Sequence, residues 1–151
     1  MKTIVIGKRN AAYQMLQGLK ENRTKRLQQG AFFVEGVRNI NQAIAAGWKI
    51  RSFIHAEKGL SDWAKEILAA TETKVNYQLT AELLAELSGK TDGSELMAAV
   101  EMQKAPRWWN NEAGCLQPQA DNPFLVLFDR PGNKGNLGTI LRTCDALGRM
   151  A

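Results

Sequence analysis

A chain of 151 residues makes one ordinary domain, or a small domain plus part of another, and 44% hydrophobic with 23% charged residues excludes a disordered chain. The net charge of +5 leans towards a polyanionic partner without requiring one. Two cysteines and a single histidine exclude a disulfide framework and a zinc site, so no metal is expected.

The apolar run in MKTIVIGKRN is too short for a signal peptide or a membrane span, which leaves the cytoplasm as the default location and no membrane partner. Residues 2–7 form a short strand candidate. Residues 11–20 follow as a weak helix, with Ala12, Met15, Leu16 and Leu19 on one side. The next stretch, ENRTKRLQQG, carries Arg23, Lys25 and Arg26, the densest basic cluster in the chain, with Lys8, Arg9 and Lys20 near it in sequence. It reads either as a solvated helix end or loop, or as a patch that neutralises nucleic-acid phosphates.

Residues 31–34 suggest a buried strand. Glu35-Gly36 then opens a helix in which Val37, Ile40, Ala43 and Ile44 keep helical spacing up to Gly47. Residues 50–55 alternate as a second strand, Ile50, Ser52 and Ile54 against Arg51, Phe53 and His55. Strand, helix and strand in this order predict a βαβ crossover with the two strands paired in parallel. The alternation continues with a helix capped by Ser61, a strand at 74–79, a helix capped by Thr80 and ended by Gly89, a turn at 90–93, and a strand at 96–102. Such a pattern predicts an α/β fold with helices on both faces of one sheet.

Residues 105–122 carry Pro106 and Pro118, followed at once by Pro123, and have no periodicity, which predicts a linker. Arg107-Trp108-Trp109 within it fits either base stacking or packing of the linker on a domain. Residues 124–128, FLVLF, then read as a strand buried on both faces. A glycine-rich loop follows, and from Leu137 a helix with Leu137, Ile140, Leu141 and Leu147 near one face runs to Gly148. Asn136 falls at the helix start and Arg142 nearly two turns in. Gly132, Gly135 and Gly138 suit either a phosphate-approaching loop with positive φ or a loop that needs glycine for geometry alone. No P-loop is present, and the G-x-x-G of a KH module is met at 132–135 but follows a buried strand.

The unit of Pro131, Gly135 to Ile140, Arg142-Thr143, Asp145-Ala146 and Gly148 resembles motif 1 of the SpoU/TrmH RNA ribose methyltransferases, which have a trefoil-knotted SPOUT catalytic domain. FFVEGVRNINQAIAAGW resembles the first strand and helix of the small RNA-recruiting domain that precedes many such catalytic domains, with Glu35-Gly36 and Arg38 at characteristic positions. The resemblance implies a three-layer α/β/α sandwich like certain RNA-binding ribosomal proteins (residues 1–104), a linker (105–122), and the first strand–loop–helix of a SPOUT domain (123–151).

It further implies methyl transfer from S-adenosylmethionine to a ribose 2′-hydroxyl of RNA, ribosomal RNA being expected, by an enzyme that is a homodimer when complete. Asn136 and Arg142 would carry the catalysis, and Lys8, Arg9, Arg23, Lys25, Arg26, Arg38 and Lys134 would hold RNA. In the family the arginine is often assigned as general base. A guanidinium is too strongly basic for that and suits electrostatic stabilisation of the 2′-oxyanion better. The later motifs that build the cofactor pocket in the family have no match in these residues. The chain alone is therefore expected neither to bind S-adenosylmethionine tightly nor to transfer methyl. A stand-alone RNA-binding module without catalysis is the alternative.

Overall fold

A computed structural model describes residues 2–89, 93–103, 109–110, 115–116, 126, 128–129 and 132–147. The chain packs as two units, Met1–Lys104 and Ala105–Ala151. In the first, β1 (Lys2–Ile6), α1 (Ala11–Glu21), α2 (Arg23–Gln29), β2 (Ala31–Glu35), α3 (Val37–Ala45), β3 (Ile50–Ala56), α4 (Asp62–Ala70), β4 (Val75–Leu79), α5 (Ala81–Ser88) and β5 (Leu96–Glu101) follow one another. The five strands form one sheet in the order β1-β4-β3-β5-β2.

Side-chain alternation along β5 explains the layering. Met97 and Ala99 pack on one face with Tyr13, Leu16 and Leu19 of α1 and Leu83, Leu84 and Leu87 of α5. Leu96, Ala98 and Val100 pack on the other with Ile40 of α3 and Ala64 of α4. A strand apolar from Leu96 to Val100 is thus buried on both sides, and the three-layer α/β/α arrangement expected from the sequence is the one observed.

The expected parallel pairing of β2 with β3 does not form. β5 lies between them, antiparallel to both, so β2 and β3 run in the same direction without sharing a ladder. β2 consequently sits at an edge and is half-buried rather than buried. The expected alternation of 50–55 also fails, because the register shifts between Ile50 and Ser52 and places Ile50 and Phe53 in the same core cluster. A bulge of this kind inserts one unpaired residue and turns the side chains beyond it to the other face. Nearby, the buried Asn76 of β4 accepts from the Phe53 backbone N–H at 2.8 Å and from the Thr73 hydroxyl at 2.9 Å.

Helix boundaries follow capping chemistry. Asn10, Asn22, Ser61 and Thr80 each accept a backbone N–H with the side chain at the start of α1, α2, α4 and α5. Gly89 ends α5 in the left-handed conformation, φ 64°. The stretch read as a helix end or loop is a helix of its own, α2, opened by Asn22.

In the second unit, a short antiparallel ribbon of β6 (Trp109–Asn110) and β7 (Cys115–Leu116) interrupts the expected linker. Val126 and Phe128, two residues of the expected buried strand, belong to no strand and are exposed. Helix α6 (Lys134–Ala146) begins three residues earlier than expected from Leu137. Asn133 supplies the reason, its side chain accepting from the N–H groups of Gly135 and Asn136. Gly135 and Gly138 are therefore helical rather than loop residues. The turn residues 90–92, Arg107, Trp108, Phe124, Leu125, Leu127, Pro131 and Gly148 lie outside the described residues, as do the side chains of Trp109, Cys115 and Lys134.

Candidate functional site

The basic residues singled out in the first unit do not form one patch. Lys8 and Arg9 precede α1, whereas Arg23, Lys25 and Arg26 lie beyond its far end. Eleven residues of helix separate the two groups by about 16 Å. Arg38 opens α3, on the opposite face of the sheet from α1. The parallel run of β1 and β2 nevertheless brings Lys8 and Arg38 to the same end of the sheet, on opposite edges.

Contacts sort these cations further. Arg9 is engaged with Glu86, its Nη2 at 2.8 Å from the carboxylate, and this hydrogen-bonded pairing holds the Glu86 carboxyl below its ordinary pKa. Arg26 folds back to donate from Nη1 to the Lys20 carbonyl at 2.7 Å, which joins α2 to α1. Lys20, which lies near the basic cluster in sequence, donates to the carbonyls of Leu87 and Ser88 at the end of α5 and lies 3.9 Å from Glu35. A lysine in the last turn of α1 was the available signal, but not which carbonyls it would reach. Glu35 in turn accepts from the Ser88 hydroxyl. Lys20, Arg26 and Glu35 thus work on the fold. Lys8, Arg23, Lys25 and Arg38 are exposed and form no ion pair among the described residues.

In the second unit, Asn136 stands in the first turn of α6 and Arg142 nearly two turns on, both exposed. Six residues put their Cα atoms on different sides of the helix. The Arg142 side chain corrects for this by folding towards the helix start. Its Nη2 donates to the Thr139 hydroxyl at 3.2 Å, and a Cβ built on Gly138 would lie 3.1 Å from its Nη1. Thr139 is the i+3 neighbour of Asn136, so the guanidinium is carried towards the asparagine's face. Sequence reasoning missed Thr139, although its i−3 spacing from Arg142 made the contact legible. Asn136, Thr139 and Arg142 are all exposed on α6, and among the described residues they do not by themselves build a pocket for S-adenosylmethionine.

Elsewhere, His55 is buried with its Nδ1 at 2.8 Å from the Ala56 carbonyl, a structural role. Cys144 is half-buried and free. No group of metal-ligating side chains occurs among the described residues, and no helix among them is long and apolar enough to cross a membrane.

Residues 10–98 match the SpoU L30e-like domain. Across 146 residues the chain is 39% identical to a 23S rRNA (uridine(2479)-2′-O)-methyltransferase of Streptomyces viridochromogenes, covering 95% of this chain and 48% of that protein. The crystal structure of the SpoU methyltransferase AviRb from the same organism, in complex with AdoMet, superposes with a TM-score of 0.75 at 38% identity, over 93% of this chain and 51% of that one. A solved RNA 2′-O ribose methyltransferase superposes with a TM-score of 0.67 at 25% identity, over 96% of this chain and 53% of its own length. The chain thus spans about half the length of these relatives. With its L30e-like sandwich and the match running on through the helix of Asn136 and Arg142, the chain belongs to the SpoU methyltransferase family.

Proposed function

We propose that this chain is the N-terminal portion of an S-adenosylmethionine-dependent RNA 2′-O-methyltransferase acting on ribosomal RNA. The observation that carries the reading is the 39% identity to a 23S rRNA 2′-O-methyltransferase, which extends over 95% of the chain and therefore through both units. The first unit recruits RNA, with the exposed Lys8, Arg23, Lys25 and Arg38 neutralising phosphates in a salt-sensitive, sequence-blind way. Arg9 and Arg26 contribute less, being engaged with Glu86 and the Lys20 carbonyl. Lys134, on the first turn of α6, adds charge to the second unit.

Arg142 is the catalytic group and Asn136 helps to hold the site. A guanidinium stays protonated near neutral pH, so its work is electrostatic: it pairs with the ribose oxygen as negative charge develops there. S-adenosylmethionine, when bound by the complete enzyme, supplies the methyl group. The chain alone neither binds it tightly nor transfers methyl. Exposed apolar side chains in the second unit, Val126, Phe128, Leu141 and Leu147, support its being covered in the complete protein, which we take to be a homodimer with a trefoil-knotted catalytic domain.

The test joins this chain to the C-terminal half of the Streptomyces relative and measures methyl transfer to a 23S rRNA fragment, mapping the site by ribose methylation. Transfer that Arg142→Ala abolishes supports the enzyme reading. RNA binding by the joined protein without any transfer, the methyl donor being bound, would favour a binding module instead.

A further inference from the structure

An open groove of about 350 Å³ runs between the free edge of β2 and α3. Its floor holds Phe32 and Trp48, whose rings meet edge-to-face with centroids 5.4 Å apart. Asn39 and Gln42, three residues apart on α3, supply amide groups along one wall. One Asn39 N–H is used on the Glu35 carbonyl at 3.0 Å. The Asn39 side-chain oxygen and the Gln42 amide have no partner among the described residues. The one carboxylate in the lining, Glu35, is compensated by Lys20 and the Ser88 hydroxyl.

Charge is arranged at the two ends. Arg38, exposed and without an ion pair among the described residues, stands where α3 begins, one helical turn before Gln42. Lys49, adjacent to Trp48, stands beyond the other end, its side chain 66% exposed and shared with Glu101 at 3.3 Å. From Arg38 to the last residue of α3, Ala45, the helix runs about 10 Å, and Lys49 follows beyond its end.

We propose that this groove binds an unpaired nucleotide of single-stranded RNA, its base against Phe32 and Trp48 and its flanking phosphates towards Arg38 and Lys49. The inference rests on the RNA reading above but concerns a surface distinct from α2. Aromatic faces accept any base, whereas carboxamides offer the paired donor and acceptor that a base edge needs. A flat, wide depression with cationic ends suits a ring and its phosphates. A protein strand added to the β2 edge would need no cations there and would use apolar side-chain pockets.

The experiment titrates the 151-residue chain with a short single-stranded RNA and with a blunt duplex, following side-chain amide and indole N–H signals by NMR. The expected result is a shift of the Asn39, Gln42 and Trp48 signals by the single strand but not by the duplex. Gln42→Ala, on an exposed residue, then weakens single-strand binding several-fold at unchanged Tm, and Trp48→Leu weakens it by roughly tenfold. Shifts confined to Arg23 and Lys25 would overturn the groove while leaving RNA binding intact. No shift with either RNA would sink both readings. Concentration-dependent changes of the β2 backbone amides without RNA would identify the edge as a protein contact and likewise overturn the proposal.

Discussion

The Thr139 hydroxyl links Arg142 to the backbone of its own helix: it accepts from Nη2 of Arg142 at 3.2 Å and donates to the Gly135 carbonyl at 3.0 Å. A hydroxyl has one proton and two lone pairs, so donating to Gly135 leaves a lone pair for the guanidinium. In a polypeptide extended to the relatives' length, Thr139→Val is expected to lower kcat about tenfold with little change in KM for RNA, and Thr139→Ser to restore it. A fall in KM-dependent binding alone, or no rescue by serine, would remove Thr139 from the positioning of Arg142.

Gly138 separates helix stability from site geometry. Its backbone is helical, so Gly138→Ala is expected to stabilise α6 by about 1 kcal/mol. The added Cβ would lie 3.1 Å from Arg142 Nη1, a contact the guanidinium must yield to. The variant should therefore raise the helix content of the second unit by circular dichroism and yet cut methyl transfer in the complete enzyme by up to roughly 100-fold. Equal activity would mean that the folded-back pose of Arg142 is not the working one.

The elements of the first unit were legible because their signals are local. Ser61 and Thr80 cap the helices they precede, and apolar spacing marks the buried faces of α1, α3 and α5, whereas α2, opened by Asn22, was not told apart from a helix end or loop. Pairing was not legible. Nothing near β2 or β3 indicates that β5, some forty residues further on, inserts between them, since strand order is decided by which faces the helices cover. The bulge at Ile50 to Ser52 was hidden for a related reason: it is tied to partner strands, and Asn76 on β4 takes up the Phe53 N–H. In the second unit, the composite motif put Asn136 and Arg142 on one helix, as α6 has them, whereas the start of α6 was misplaced because a glycine-dense stretch mimics a loop. Asn133 with two N–H groups in reach outweighs the poor helix propensity of Gly135 and Gly138.

Asn76 gives a stability prediction at the centre of that irregularity. Its side-chain oxygen is the acceptor for the Phe53 N–H and the Thr73 hydroxyl in a fully buried setting. Asn76→Ala leaves that buried N–H without its acceptor and should cost about 2–3 kcal/mol by urea denaturation. A cost below about 0.5 kcal/mol would mean that another acceptor or water replaces the asparagine.

Tyr13 predicts an alkaline limb in stability. Its ring is buried, the hydroxyl makes no hydrogen bond of good geometry, and burial first and the Glu86 carboxylate second raise its pKa above the ordinary 10.0. Because the folded-state pKa exceeds the unfolded one, the linked stability is complete below pH 10.0 and is lost as pH rises through the folded value. Tyr13→Phe should remove that limb from a plot of Tm against pH. At neutral pH it should stay within about 0.5 kcal/mol of the parent, since the hydroxyl makes no well-formed hydrogen bond and Glu86 keeps its pairing with Arg9. A parent and variant with the same alkaline profile would assign the limb to other groups.

The basic residues of α2 divide into those that face solvent and one that braces the fold, and the two kinds should fail differently. Arg23 and Lys25 are exposed without ion pairs among the described residues, whereas Arg26 donates to the Lys20 carbonyl. Arg23→Gln with Lys25→Gln is expected to leave Tm unchanged and to weaken RNA binding uniformly across sequences. The slope of log K against log salt should fall by about 2, one for each phosphate contact removed. Arg26→Gln, in contrast, should lower stability by roughly 1 kcal/mol through the lost link between α1 and α2, with a smaller effect on the salt slope. If all three substitutions change the slope equally, Arg26 leaves the Lys20 carbonyl to reach the RNA, and α2 must shift against α1 when RNA binds.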